Sequence, residues 1–174
     1  MVNKVDFGFR PLTAPKDGQV ARFLAGGTLW RHSIVVMDTD GDVIVKADTA
    51  TGVQHVGVAL NYAESTEEVI VCIDPGMKYV TTYTVAPNAL KADIGQYFIT
   101  SENDAAKDAT MNAKISGGKI LTGADTFIPG AHCARLLGVY EDKTNLAVVG
   151  DYSGASPLDI LVVVHVMSDF AVTG

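Results

Sequence analysis

The sequence has little charge, little sulfur and no long apolar run. Charged residues make up 19% of the 174 residues, and hydrophobic residues make up 48%. Disordered chains combine low hydrophobicity with a high density of charge, so this composition excludes a disordered chain. The two cysteines are too few for the framework of a small disulfide-rich domain. The length predicts one domain, or at most two small ones.

Features of membrane spans, secretion and nucleic-acid binding are also missing. The longest apolar run, Ile160–Val164, ends at His165 and is far shorter than the roughly 18 residues of a membrane-spanning helix. The first residues lack the apolar core of a signal peptide. Basic residues number 13 against 20 acidic ones, for a net charge of −7, which disfavours contact with nucleic-acid phosphates. The mean hydropathy is nevertheless +0.22, so we expect apolar surface that meets other proteins.

Helical periodicity is scarce, and β patterns take its place. Only the segments 87–94 and 101–108 have the composition for one or two helical turns. Apolar runs between polar turns predict strands at Ser33–Met37, Val43–Val45, Val56–Ala63, Val69–Asp74, Tyr79–Val85, Gln96–Thr100, Ala131–Tyr140, Leu146–Gly150 and Leu158–Met167. The first two of these strands form one predicted hairpin, and the third and fourth form another. The last run is the most apolar, which predicts a central strand buried on both faces. The fold class is therefore all-β, a small barrel or sandwich.

The chain divides into an N-terminal segment and a β-domain. Residues 1–19 have no regular period, and they form either a frayed terminus or an extended arm that inserts Phe7 and Phe9 into a neighbouring chain. Residues 20–174 form the β-domain. Within it, residues 101–130 are rich in small and polar side chains, which predicts a long irregular loop or insertion.

Two parts of the β-domain have a weakly similar sequence pattern. In each part an apolar strand with one internal glycine, Gly57 or Gly138, leads through an acidic turn to another apolar strand. The β-domain is therefore either a single unit with similar hairpins or two pseudo-repeated halves, at about 20–100 and 101–174. A glycine inside a strand is typical of a β-bulge or of a close approach by another backbone.

Residues able to carry catalysis or bind a metal form no recognisable motif. Asp38, Asp40 and Asp42 alternate, but the glycine and glutamate of a calcium loop are missing, so we expect a solvated turn. No two histidines have the spacing of metal ligands. We therefore expect a protein that is not an enzyme and has no cofactor or metal. A β-barrel enzyme built around His132 and Asp151 is the catalytic alternative.

A fixed order of short motifs runs from Ser33 to Thr84. It consists of a strand ending in Met37-Asp38, a polar turn, Val43–Val45, the linker Ala47–Gly52, Val56-Gly57-Val58-Ala59, a turn around Ala63, Val69–Ile73, and Gly76 with Tyr79-Val80. This order resembles the core of the head-decoration, or cement, proteins of tailed bacteriophages, notably the lambda-like decoration protein family. Residues 86–174 have no counterpart in that pattern.

The resemblance implies a structural protein on the outer surface of a phage capsid. It would be made in the host cytoplasm, bind the major capsid protein after shell expansion, and reinforce the shell as a homotrimer, without contacts to nucleic acid or membrane. Residues 1–19 resemble the capsid-binding arm of that family. The implied contact residues are Phe7, Phe9, Arg10 and Pro11, and the arm would add to a strand edge of the capsid subunit.

Three aromatic residues are candidates for an interface between copies. Trp30, the single tryptophan, either anchors such an interface or caps the core. Tyr79 and Tyr83 fall on one face of a predicted strand. They also allow an alternative function, a carbohydrate-binding module of a phage tail or adsorption apparatus, although Thr81 interrupts the aromatic stripe.

Overall fold

A computed structural model describes residues 8–45, 54–85, 94–98, 115–116, 133–140 and 158–169. Regular structure in these residues is β-structure except for a 3-10 turn at Asp17–Gln19. The strands are β1 Arg10–Pro11, β2 Val20–Leu24, β3 Ile34–Met37, β4 Val43–Val45, β5 His55–Ala59, β6 Glu68–Cys72, β7 Lys78–Val85, β8 Tyr97–Phe98, β9 Ile115–Ser116, β10 Ala134–Val139 and β11 Leu158–Val166. The all-β prediction is confirmed. The predicted strand 146–150 and the predicted helical turn at 101–108 lie outside the described residues, as does the predicted helical turn at 87–94 except for its last residue, Ile94.

The strands form two antiparallel sheets. Sheet I has the order β1-β7-β11-β10-β8, and the short strand β9 joins β7 in parallel orientation. Sheet II has the order β2-β6-β5-β3-β4. The two predicted hairpins are confirmed, because β3 pairs with β4 and β5 pairs with β6 in antiparallel register.

The edge strands of sheet II meet at one end. Ala25, directly after β2, forms an isolated bridge with Val43 of β4. The N–H of Gly26 donates to the carbonyl of Val43 at 2.9 Å. Along the rest of their described length both sheets stay open, so the barrel or sandwich part of the prediction holds only loosely.

Two apolar clusters stabilise this arrangement. The first joins both sheets and contains Phe9, Ile34, Val58, Cys72, Met77, Tyr79, Phe98, Cys133, Ala134, Leu136, Val162, Val164 and Val166. The second joins sheet II to its loops and contains Ala25, Leu29, Val35, Val43, Val56, Ala59, Ala63, Val69 and Val71. Because β5 contributes to both clusters, all of its residues are buried.

Strand β11 lies in the centre of sheet I, between β7 and β10, as the sequence predicted. Val162, Val164 and Val166 are buried in the first cluster, whereas Val163 and His165 are half-buried. The prediction of burial on both faces is therefore wrong for these side chains. Only the face toward sheet II is fully covered, and the other face of β11 retains contact with solvent.

Gly57 places a β-bulge in β5. The register between β3 and β5 shifts where Val35 lies opposite Gly57 and Val36 lies opposite His55. The φ angle of Gly57 is +150°, and a Cβ at this position would lie 1.8 Å from the carbonyl oxygen of Cys72. Both expectations for a glycine inside a strand, a bulge and a close backbone, are confirmed here.

The bulge explains how β5 serves two cores. In a regular strand, residues two apart face the same side. Val58 nevertheless packs in the first cluster, while Val56 packs in the second. The extra residue in the strand reverses the direction of its side chains at this point. Gly138 also lies at a register shift, between β10 and β11, but no atom of the described residues would lie within 4 Å of a Cβ there.

The segment after β11 joins sheet I to sheet II. The N–H of His55 donates to Oδ2 of Asp169 at 2.8 Å, and the N–H of Asp169 donates to the carbonyl of His55 at 2.8 Å. The hydroxyl of Ser168 donates to the carbonyl of Val56 at 2.7 Å. These three bonds fix the end of the central strand of sheet I to the first residues of β5.

Candidate interaction surfaces

The residues expected in a capsid-binding arm lie in different environments. Phe9 is fully buried in the cluster that joins the two sheets. Arg10 is exposed and Pro11 is half-buried, and they pair with Val80 and Tyr79 at the edge of β7. Phe7 lies outside the described residues. In this conformation Phe9 fills the core of its own chain, so the expectation that it inserts into a neighbour is corrected.

The segment around Gly8 is held closely against the rest of the fold. The N–H of Phe9 donates to the carbonyl of His32 at 2.9 Å, and the N–H of Leu12 donates to the carbonyl of Lys78 at 2.9 Å. Gly8 has a φ of +41°, and a Cβ there would lie 2.7 Å from Cβ of His32. Residues 8–12 are therefore part of the folded domain.

Tyr79 is a core residue, which corrects its assignment to an interface. Its side chain is fully buried, as is that of Thr81 two positions later. Burial raises the pKa of the Tyr79 phenol far above its ordinary value. The backbone of Tyr83 pairs with Ile160 and Ile115, and its side chain lies outside the described set. An exposed carbohydrate platform that uses Tyr79 is therefore excluded in this conformation.

Trp30 forms an aromatic pair with Tyr62 at one end of sheet II. Their ring centroids lie 5.0 Å apart, and the rings meet edge to face at 65°. The flanking residues Leu29 and Ala63 form a bridge with two backbone hydrogen bonds, which brings the two loops together. Trp30 is half-buried and Tyr62 is 43% exposed, so the aromatic pair retains accessible surface. Both interpretations of Trp30, an interface anchor and a cap of the core, stay predictions.

Two acidic turns contact the segment Ala25–Gly26, which follows β2. The N–H of Ala25 donates to the carbonyl of Glu67 at 2.9 Å. Gly26 follows Ala25 and bonds to Val43, and a Cβ on Gly26 would lie 3.4 Å from Cβ of Asp42. The 64–68 turn and the 38–42 turn are therefore neighbours. We call the surface formed by Trp30, Tyr62, Glu64, Glu67, Asp40 and Asp42 the acidic tip.

The acidic tip contains few opposing charges among the residues that the structure describes. Arg22 pairs with Glu68, outside the acidic tip as defined. Arg31, next to Trp30, is exposed. The hydroxyl of Tyr62 donates to Oε1 of Glu64 at 2.8 Å. This hydrogen bond, followed by desolvation and the negative charges of Glu64 and Glu67, raises the pKa of Tyr62 above its ordinary value.

A row of basic residues crosses the outer face of sheet I. Lys78 of β7 lies opposite His165 of β11, and His165 lies opposite Arg135 of β10. Arg135 in turn lies opposite Tyr97 of β8, and its guanidinium is 5.2 Å from the centre of that ring. Directly opposed residues in a sheet share a face. We call Lys78, His165, Arg135 and Tyr97 the basic row, and the exposed Arg10 lies beside it in β1.

The charges of the basic row are not neutralised within the described part of the chain. No described carboxylate pairs with Lys78 or Arg135. Asp74, the described acid that precedes Lys78, accepts hydrogen bonds from Gln19 and from the N–H of Gly76. Desolvation lowers the pKa of His165 below its ordinary value, and the charges of Lys78 and Arg135 lower it further. His165 therefore stays uncharged to a lower pH than an ordinary histidine, between two cations.

The two charged surfaces lie at opposite ends of strand β6. This strand begins at Glu68, beside the acidic tip, and ends at Cys72. The turn from Asp74 to Met77 then leads directly to Lys78 of the basic row. A strand rises about 3.3 Å per residue, so the length of β6 alone separates the two surfaces by about 13 Å. The molecule has a strong asymmetry of charge despite its overall negative balance.

The residues of the catalytic alternative, His132 and Asp151, lie outside the described residues, so this alternative stays a prediction. In the described part of the chain no three residues among His, Cys, Asp and Glu form a group that could hold a metal ion. Asp38 instead begins a turn in which its N–H donates to the carbonyl of Asp42 at 2.8 Å. Among the same residues, no helix has the length and apolar character of a membrane span.

The basic row and Tyr62 were not identified from the sequence. The four residues of the row come from four strands that are distant along the chain, so no local pattern contains them. Tyr62 becomes important only because the Leu29–Ala63 bridge places it beside Trp30. The acidic turns, in contrast, were visible as charge clusters between apolar runs.

Comparisons with known proteins identify no relative: no protein-family model matches the chain, and a search of curated proteins returns no match.

Proposed function

We propose that this chain is a capsid decoration protein, a structural component that binds the outer surface of a tailed-phage shell and stabilises it. The observation that carries the proposal is the anchoring of residues 8–12 on sheet I. This anchoring provides a rigid base from which residues 1–7, including Phe7, reach a partner. The order of motifs from Ser33 to Thr84 and the β-architecture are consistent with this function.

The anchored base changes which residues carry the capsid contact. Phe9 is committed to the core, and Pro11 is committed to the edge of β7. Phe7 is the aromatic residue that remains for the partner. A short segment held at its base loses less conformational entropy on binding than a free segment of the same length. In this proposal the seven residues add to a strand edge of the major capsid protein, and backbone hydrogen bonds supply most of the affinity.

The test is co-sedimentation with expanded capsids that are purified without this protein. We expect the full chain to bind at a fixed ratio to the major capsid protein. Deletion of residues 1–7, or the single change Phe7→Ala, is expected to weaken binding at least tenfold, which corresponds to about 1.4 kcal/mol. Neither variant should change the thermal unfolding midpoint by more than about 2 °C, since neither removes a residue of the described core.

Phe9→Ala is the matched control. The side chain of Phe9 is buried in the first cluster, so this change should cost about 3–5 kcal/mol of stability. A deletion of residues 1–19 combines both effects and does not separate binding from folding. Undiminished capsid binding by the chain without residues 1–7 would overturn the proposed arm, and absence of binding by the full chain would overturn the proposed function.

A further inference from the structure

The acidic tip and the basic row have complementary charge and composition. Each combines exposed ionic groups with an aromatic side chain, Trp30 and Tyr62 in the tip and Tyr97 in the row. Aromatic residues and arginine are enriched at the centres of protein interfaces. The carboxylates of the tip outnumber its nearby cation Arg31, and the row has no described carboxylate partner.

Their positions prevent the two surfaces from meeting within one chain. They lie at opposite ends of β6, and both sheets contribute to one shared core that fixes their separation. Contact between a tip and a row therefore requires two molecules. Because the two surfaces differ, this contact is heterologous: each copy uses its tip on one neighbour and its row on another.

We infer that the basic row of one copy binds the acidic tip of a second copy, in a head-to-tail contact. The backbone positions of Lys78 and Arg135 lie about 10 Å apart, because one strand separates them and neighbouring strands are about 4.8 Å apart. The row therefore presents two separate cations to the carboxylates of a tip, with His165 between their strand positions.

The contact is a property of this chain and does not depend on capsid binding. Residues 1–7, which carry the proposed capsid contact, belong to neither surface. The two proposals therefore fail independently. A head-to-tail contact also explains how a chain with a net charge of −7 associates with itself, because the contact uses local charges rather than the overall balance.

The test is sedimentation velocity of the isolated full chain over a series of concentrations. We expect self-association that is strong at about 0.01 M salt and lost at about 1 M salt, because the Debye length falls from about 30 Å to about 3 Å. The row variant Lys78→Glu/Arg135→Glu and the tip variant Glu64→Lys/Glu67→Lys should each weaken self-association at least tenfold. The single variants Lys78→Glu and Lys16→Glu form a matched pair, because both remove an exposed lysine and change the net charge equally.

A variant that restores the contact shows whether the loss of self-association comes from the lost contact or from misfolding. A chain with both the row and the tip reversed has complementary surfaces again, so it should regain self-association. Mixing the row variant with the tip variant should also produce complexes that neither variant forms alone. The inference is overturned if the wild-type chain stays monomeric at low salt, if Lys16→Glu acts like Lys78→Glu, or if the fully reversed chain does not associate. A fourth outcome would also overturn the inference: the basic row binds a generic polyanion such as heparin, and the tip variant self-associates as strongly as the wild type. The row would then serve another partner.

Discussion

Gly57→Ala is expected to be one of the most destabilising single changes in this protein. The new Cβ would lie 1.8 Å from the carbonyl oxygen of Cys72, where non-bonded atoms need more than 3 Å. Strands β5 and β6 would have to separate by more than about 1 Å, at the point where Val58 pairs with Cys72. The φ of +150° also disfavours any residue with a side chain.

The expected cost follows from these two effects. A residue forced into an unfavourable region of φ costs about 1–3 kcal/mol. Disturbance of one or two backbone hydrogen bonds between β5 and β6 adds about 1 kcal/mol for each. The sum is about 2–5 kcal/mol, a large part of the roughly 5–15 kcal/mol that stabilises a typical domain. For a chain of this length the unfolding midpoint should fall by about 4–20 °C.

Equilibrium unfolding in urea, followed by the fluorescence of the single tryptophan and by circular dichroism, measures this cost. Gly138→Ala is the matched control, because Gly138 also lies inside a strand at a register shift and is followed by valine. Within the described part of the chain no atom would lie within 4 Å of a Cβ there, so Gly138→Ala should change stability by less than about 1 kcal/mol. Equal effects of the two changes, or a Gly57→Ala variant as stable as the wild type, would refute the steric reasoning.

Three further predictions concern buried or charged groups. Tyr79→Phe should cost less than about 1 kcal/mol, because the described group that interacts with the buried hydroxyl is the Cys72 thiol, which is a weak hydrogen-bond partner. Tyr79→Ala should cost about 3 kcal/mol or more. The raised pKa of Tyr79 means that its phenol stays protonated in the fold while the unfolded phenol ionises, so wild-type stability should fall as the pH rises above 10, and Tyr79→Phe should reduce this fall. Lys78→Gln should raise the pKa of His165 in an NMR titration because it removes a neighbouring positive charge, whereas Lys16→Gln should not change it. Folding lowers the pKa of His165, so its contribution to stability should decline as the pH falls below 6.5. Asp169→Ala should cost about 1–3 kcal/mol in urea unfolding because it leaves the N–H of His55 without its acceptor, and a cost as small as that of the exposed Asp40→Ala would contradict the proposed link between the sheets.

The predicted N-terminal arm shows where local reasoning reaches its limit. Two phenylalanines in an irregular, proline-containing segment indicate that their side chains are buried, but the sequence does not show whether in the core of the same chain or in a neighbouring molecule. The structure decides this for Phe9, which packs with Ile34 and Tyr79 in the core of its own chain. Tyr79 illustrates the same limit. The alternation of a strand predicts which side of the strand carries the tyrosine, but the packing of the second sheet decides whether that side is buried.

The sequence by itself determined the β-class, the two hairpins of sheet II, the central position of β11 and the bulge at Gly57. All of these depend on neighbours along the chain: alternating apolar residues, turn residues and one glycine inside a strand. Only the tertiary structure decided which strands meet across long separations. It assembled the basic row from β7, β11, β10 and β8, and it brought Tyr62 to Trp30. Pairing between distant strands depends on how the two clusters pack together, and a local pattern does not contain that information.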